Sequence, residues 1–212
     1  MESVIVQKME PMPTKLIRAI LSAGIVCFIS SCSPGNISAR YYYQNKTALD
    51  RIEETYKKLY LQQPFSVAFT DRSFNTVSLQ IITDTLNYIY LFEVNEPRLT
   101  DTLLTFHLDA PKVVELIKQI QAIRCAWINN YTYYVDEKKN SLIFMSIKPL
   151  ALSTPFSYKK YYILTYFPKL QYFDSTGNLL DKKKPGRLRK INGEVFKRIN
   201  DKVCYTVSGF FR

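Results

Sequence analysis

His107 is the only histidine in the chain, so any catalytic unit that needs an imidazole must be built around it. Asp109 and Cys125 follow it, and a Cys–His pair would supply an activated thiolate. No nucleophile elbow or comparable local signature surrounds either residue, and Asp109 is placed to cap the helix that begins after it. The expectation is a histidine at a strand end with no catalytic role. One histidine and two isolated cysteines cannot assemble a standard zinc site, which wants several such ligands at defined spacing. Asp174-Ser175-Thr176-Gly177-Asn178 has some residue types of a calcium loop but lacks its alternating acids and terminal glutamate, so it reads as a turn. Six glycines in 212 residues leave little material for a phosphate-cradling loop. Glu93, Glu96 and Asp101 gather near one end of a strand-rich stretch, and a close pair of them in a cleft would suit glycoside hydrolysis. No catalytic residue, metal or cofactor is expected from these patterns.

A different kind of chemistry sits near the N-terminus. Lys15 and Arg18 precede eleven uncharged, mostly apolar residues, Ala19 to Ile29, which end in Ser30-Ser31-Cys32. A charged start, a short apolar run and small residues before a cut make an export signal. The run is too short for a spanning helix, which needs about 20 apolar residues. It is apolar nearly all round, unlike a core helix with one apolar stripe. Ile29-Ser30-Ser31-Cys32 resembles the lipobox of bacterial lipoproteins. The resemblance covers the first 32 residues alone. It implies cleavage before Cys32, which would become the acylated first residue of the mature chain, carrying palmitate or similar chains. Several chains on one residue hold firmly to a membrane where a single chain does not. Glu2 and Glu10 are unusual in such a leader, and Met12 gives a more ordinary start. Ser33, where aspartate marks inner-membrane retention in enteric bacteria, points to the outer membrane, and the lack of an acidic run after Cys32 points to its periplasmic side.

Composition is consistent with an envelope protein. The chain carries 29 Lys+Arg against 18 Asp+Glu. Removing residues 1–31 takes away three basic and two acidic residues, leaving 26 against 16, or +10. Such an excess favours anionic surfaces, including phospholipid or lipopolysaccharide head groups. Nucleic acid is not an expected partner in that compartment. The densest basic run is Lys182, Lys183, Lys184, Arg187, Arg189 and Lys190, which reads either as an anionic-surface contact or as a solvated loop. Cys125 and Cys204 are the two cysteines left in the folded part. An oxidising periplasm permits a disulfide between them, and two buried thiols acting as small hydrophobes are the alternative.

The elements that must position these groups follow from periodicity. Residues 1–31 are the leader and 32–46 a lipidated cysteine with a flexible Ser/Pro/Gly-rich tether, spanning at most about 45 Å from Ser33 to Lys46. Residues 47–212, or 212 − 46 = 166 residues, suffice for one domain with a sizeable core. A helix is expected over 47–62, capped by Thr47 with Asp50 in the capping-box position, and carrying Leu49, Ile52, Tyr56, Leu59 and Tyr60 at helical spacing. Alternating strands follow over 65–70, 77–82 and 86–94, with another short strand at 103–108. A second helix is expected over 110–128, with Asp109 as cap, Pro111 in the first turn and a stripe of Val113, Leu116, Ile117, Ile120, Ile123 and Trp127. A hairpin of 131–135 with 142–147 comes next, then a loop at 148–159 and a strand at 161–167. Asn192-Gly193 is a strong signal for a type I′ turn, opening a three-stranded C-terminal meander. The fold class is α+β, an antiparallel meander sheet with two main helices on one face.

The function these features favour is a membrane-anchored periplasmic lipoprotein with a non-catalytic binding or scaffolding role, its partner an envelope protein or glycan. The alternatives are a glycan hydrolase on scattered carboxylates, and a partner-inhibiting module, which would show a large exposed apolar patch.

Overall fold

Ser33 caps a helix, because its side chain accepts a hydrogen bond from the Asn36 amide at 3.3 Å. A computed structural model describes residues 33–135, 138–149, 160–182, 184 and 186–208. The leader with its two candidate starts, Cys32, most of the 148–159 loop and the last four residues lie outside these. The first helix, α1 (Pro34–Gln44), occupies the stretch expected as a flexible tether. Its Ser38 and Tyr42 are buried, and the Tyr41 hydroxyl donates to the Ile123 carbonyl at 2.8 Å. Those contacts hold residues 34–44 to the body of the protein, so the tether reading is corrected to a packed helix.

Asn45 then turns the chain directly into α2 (Lys46–Gln62). The expected Thr47 cap is absent, since helical backbone starts one residue earlier, and Asp50 pairs with Lys46 instead. The apolar face of α2 is as expected: Leu49, Ile52, Tyr56 and Leu59 are buried. Strands β1 (Phe65–Phe69), β2 (Thr76–Ile82) and β3 (Asn87–Glu93) pair antiparallel in sequence. Asp71 shapes the first of their turns, its carboxylate accepting from the Asn75 and Thr76 amides.

Helix α3 (Pro97–Thr105) replaces the short strand expected at 103–108, with Pro97 in its first turn and Leu99 and Leu103 inward. Helix α4 (Ala110–Ala122) has Asp109 as its cap, as read from the sequence, but it is shorter than expected. Arg124 at φ 53° takes the left-handed conformation after it. Bonds from the Arg124 amide to Gln121 and the Cys125 amide to Ile120 close a Schellman stop. His107 ends α3 in the same way, at φ 57° with Leu108 bonded back to Leu103.

Strands β4 (Trp127–Val135), β5 (Lys138–Pro149) and β6 (Tyr161–Tyr166) continue the sheet. Trp127 therefore begins a strand, not the end of a helix stripe, and Asn129-Asn130 lie inside β4. The C-terminal strands are β7 (Lys190–Ile191), β8 (Glu194–Val195), β9 (Lys197–Arg198) and β10 (Val203–Ser208). Asn192 and Gly193 at φ 51° and 80° join β7 to β8 in the left-handed turn that the dipeptide signals. The main sheet runs β3-β2-β1-β4-β5-β6-β10-β9, antiparallel at every step. This is the α+β meander architecture read from the sequence.

Its two faces differ. One is covered throughout by the helices, over a core of Leu49, Ile52, Phe65, Leu79, Ile117 and Leu164 among others. The other is covered only over β4, β5, β6 and β10, where Leu179, Ile191 and Phe196 from the segment after β6 meet Trp127, Phe144, Ile163 and Cys204. The same face of β1, β2 and β3 is left open. Among the described residues no helix is long and apolar enough to cross a membrane.

Candidate functional site

Helix α2 carries four ionisable residues down one edge: Lys46, Asp50, Glu53 and Lys57, at successive four-, three- and four-residue steps that align on a helix. That edge forms one wall of a cleft of about 540 Å³. The cleft is lined also by Tyr42, by Tyr166 to Pro168 and Leu170, and by Asn200 to Val203, the turn into β10. The turn is fixed by its own side chains. Asn200 accepts from the Lys202 and Val203 amides at 2.8 Å each through Oδ1, and donates through Nδ2 to the Tyr42 hydroxyl at 2.9 Å.

The internal pairings use up only part of the cleft's polar groups. Lys46 pairs with Asp50, and Asp201 with Arg198 at 2.7 Å. The side chains of Glu53, Lys57 and Lys202 have no hydrogen bond or ion pair among the described residues. The Tyr166 ring is 7 % exposed and its hydroxyl has no partner among the described residues. Burial, with the nearby Tyr42 and the charge of Asp50 adding to it, raises this phenol far above its ordinary range. It therefore stays a hydrogen-bond donor at every physiological pH. A buried donor without an acceptor costs stability, so its presence in a residue that lines a cleft is a mark of a site.

Glu53 is half-buried, and loss of water raises its pKa, with Lys57 and Lys202 opposing the shift. A carboxyl whose pKa is higher folded than unfolded binds its proton more readily in the folded state, so its cost is full at neutral pH and disappears as pH falls through its pKa. Glu53→Gln should therefore raise the melting temperature slightly at pH 7, and the gap to the native chain should close in scans below the ordinary carboxylate range.

The residues singled out by sequence lie elsewhere. Cys125 and Cys204 are both free and buried. They belong to cores on opposite faces of the sheet. Three inter-strand steps separate β10 from β4, about 14 Å, twice the reach of a disulfide. The bridge between them is therefore ruled out by geometry. Burial pushes each thiol up to about 12, and the Cys125 thiol is bonded to the Trp127 carbonyl at 3.3 Å. Neither is a nucleophile, and His107 is an exposed helix stop. Glu93, Glu96 and Asp101 do not line the α2 cleft: Glu96 pairs with Arg98 and accepts from the Glu93 amide, while Asp101 is exposed. Nor does any group of three or more His, Cys, Asp or Glu among the described residues suit a metal.

The basic run divides. Lys182, Lys184, Arg187 and Lys190 are exposed, and Lys183 lies outside the described residues. Arg189 is not a surface contact. Its guanidinium donates to Gln171 Oε1 at 2.8 Å and the Tyr133 hydroxyl at 3.0 Å, and lies over the Tyr133 and Phe167 rings. It ties the second layer to the hairpin of β4 and β5. Arg189→Ala should cost about 1–3 kcal/mol, as loss of hydrogen bonds from a charged group does. Lys182→Glu with Lys184→Glu and Arg187→Glu should leave urea denaturation within about 0.5 kcal/mol of the native chain.

The cleft was half readable in the sequence. The edge of charges on α2 follows from helical spacing, but nothing marks Tyr166 among sixteen tyrosines. A second, smaller groove of about 190 Å³ crosses the open sheet face between Ile89 and Trp127. The Trp127 indole N–H is buried there with no partner among the described residues. The α2 cleft has the richer set of unpaired groups. Comparison with known proteins gives no match to a family model, to a curated protein or to a solved structure.

Proposed function

We propose that this chain is a lipid-anchored protein of the bacterial cell envelope, held through Cys32, and a non-catalytic binder whose ligand occupies the α2 cleft. The observation that carries the binding role is the buried, unpartnered hydroxyl of Tyr166, a residue that lines the cleft. The unpaired groups around it are one carboxylate, Glu53, and two ammonium groups, Lys57 and Lys202. Cleft charges balance, three basic (Lys46, Lys57, Lys202) against three acidic (Asp50, Glu53, Asp201), although the whole chain is strongly basic. That set suits a small zwitterion: an amino group toward Glu53, a carboxylate toward the lysines, and an acceptor atom for Tyr166. A free short peptide, with an ammonium at one end and a carboxylate at the other, has this chemistry. The expected location is the periplasmic side of the outer membrane, where peptide-bearing polymers lie within reach.

The test is calorimetric titration of the full chain with an alanyl dipeptide, with glucose as the uncharged control. Binding of the dipeptide alone is expected, and Tyr166→Phe should weaken it about 3- to 10-fold, the worth of one hydrogen bond. The same substitution should leave the free protein equally or more stable, because it removes an unsatisfied donor. Equal response to both probes, or none to either, would refute the assignment.

A further inference from the structure

The two edges of the main sheet are built differently. At one end lies β9, two residues long and carrying Lys197 and Arg198, both exposed. Short, cationic edges resist pairing with other chains. At the other end lies β3, Asn87-Tyr88-Ile89-Tyr90-Leu91-Phe92-Glu93, with no proline, no lysine and an unbroken seven-residue register against β2. Leu86, Ile89 and Leu91 are 58 %, 67 % and 61 % exposed.

The hydrogen-bond ladder shows which backbone groups of β3 are unused. The Val94 amide donates to Asn75 and the Thr83 amide to Leu86, both at 2.9 Å, at the two ends of the β2–β3 ladder. Antiparallel bonds alternate, so Tyr88, Tyr90 and Phe92 bond inward to β2, and Asn87, Ile89, Leu91 and Glu93 turn outward. Glu93 is already occupied: its amide donates to Glu96 Oε2 at 3.2 Å and its carbonyl accepts from the Glu96 amide at 2.9 Å. The open run is therefore Asn87, Ile89 and Leu91, symmetric about Ile89.

We propose that β3 pairs antiparallel with β3 of a second copy of this chain, on a two-fold axis at Ile89. This register uses every open group, making about six hydrogen bonds. It sets Ile89 opposite Ile89, Asn87 opposite Leu91, Tyr88 opposite Tyr90 and Leu86 opposite Phe92. The only side chain of the strand charged at neutral pH, Glu93, falls opposite Thr85, and Asp84 falls opposite Val94, so no like charges face each other. A register centred on Tyr90 would instead set the occupied backbone of Glu93 against Asn87. Such an edge-to-edge contact lies at the small end of specific interfaces, under about 1,200 Å². The dimer is accordingly weak and concentration-dependent, and surface anchoring favours it by confining both copies to one plane.

The test uses the full chain purified from its own membranes in detergent. Sedimentation across a concentration series should show a monomer–dimer equilibrium, and Ile89→Lys should leave only monomer with an unchanged near-ultraviolet circular dichroism spectrum. Cysteine crosslinking fixes the register independently of that variant's folding. Ile89→Cys should form a disulfide dimer, since facing residues lie about 5.5 Å apart. Leu91→Cys should not, its two copies being about 14 Å apart along the strands. A monomer at every concentration, a dimer that survives Ile89→Lys, or crosslinking through Leu91→Cys as fast as through Ile89→Cys each overturns the proposal. Loss of the cleft's ligand in Tyr166→Phe would leave this result untouched.

Discussion

Phe144→Ala is expected to lower stability by about 3–5 kcal/mol, as deletion of a buried phenylalanine ring does. Phe144 is 1 % exposed and projects from β5 away from the helices. Its ring stacks at 6.4 Å on Phe196 and lies 5.7 Å from Tyr131. Phe196 belongs to the segment after β6 that covers this face, and the bond from the Leu179 amide to the Phe196 carbonyl at 2.8 Å ties that segment together. Alanine at 144 would leave a cavity between sheet and cover that neither can close, because the sheet is held from behind by the helical core. Urea denaturation followed by circular dichroism measures the loss. A single transition shifted by this amount shows that the cover folds with the sheet. A shift below about 1 kcal/mol would mean that the segment from Phe167 to Arg198 lies on the sheet without stabilising it. Ile89→Ala, on the open part of the same face, supplies the control and should stay within about 0.5 kcal/mol.

The sequence made the sheet legible because its strands alternate cleanly. Phe65, Val67 and Phe69 face the helices, as do Val77, Leu79 and Ile81, and two-residue periodicity records that directly. Helix ends were harder. The stripe from Val113 to Ile123 runs on in step to Trp127, so periodicity alone carried the helix through residue 128. What stops it is a left-handed residue, and at 124 that residue is arginine instead of the glycine or asparagine that would announce it. The same absence hid the stop at His107 and with it helix α3. The first helix was missed for another reason. Ser33, Pro34, Gly35 and Asn36 are loop residues by composition, yet Ser33 caps and Pro34 fits the first turn. Gly35 lets that helix pack closely, since a Cβ would meet the Tyr205 hydroxyl at 2.7 Å and the tyrosine would have to move. A glycine selected for close packing and one selected for flexibility are indistinguishable in a single sequence. The cleft inherited this blind spot, because Tyr42 reaches it only from the end of that helix.

Cys32→Ser is expected to abolish incorporation of labelled palmitate and to leave the leader attached, an all-or-none effect, because a serine hydroxyl cannot take the place of the thiol in a lipobox. The native chain should take up label and partition into the detergent phase of a Triton X-114 extract. An unlabelled native chain, or label retained by the variant, removes the anchor from the account. The structure sharpens what anchoring means. The expected tether would have let the domain stand off by as much as about 45 Å. Instead the first described residue already caps α1, and Ser38 and Tyr42 are packed beneath the helix. An acyl group on Cys32 would therefore hold the domain against the bilayer with no spacer. Tyr42 lies eight residues into α1, about 12 Å along its axis, so the α2 cleft would open within a short distance of the membrane surface. With that anchor in place, a ligand for the cleft would be one that reaches the lipid face, as a free short peptide does. Two copies held at one height and in one orientation would also bring their β3 edges level, the alignment that pairing through Ile89 requires.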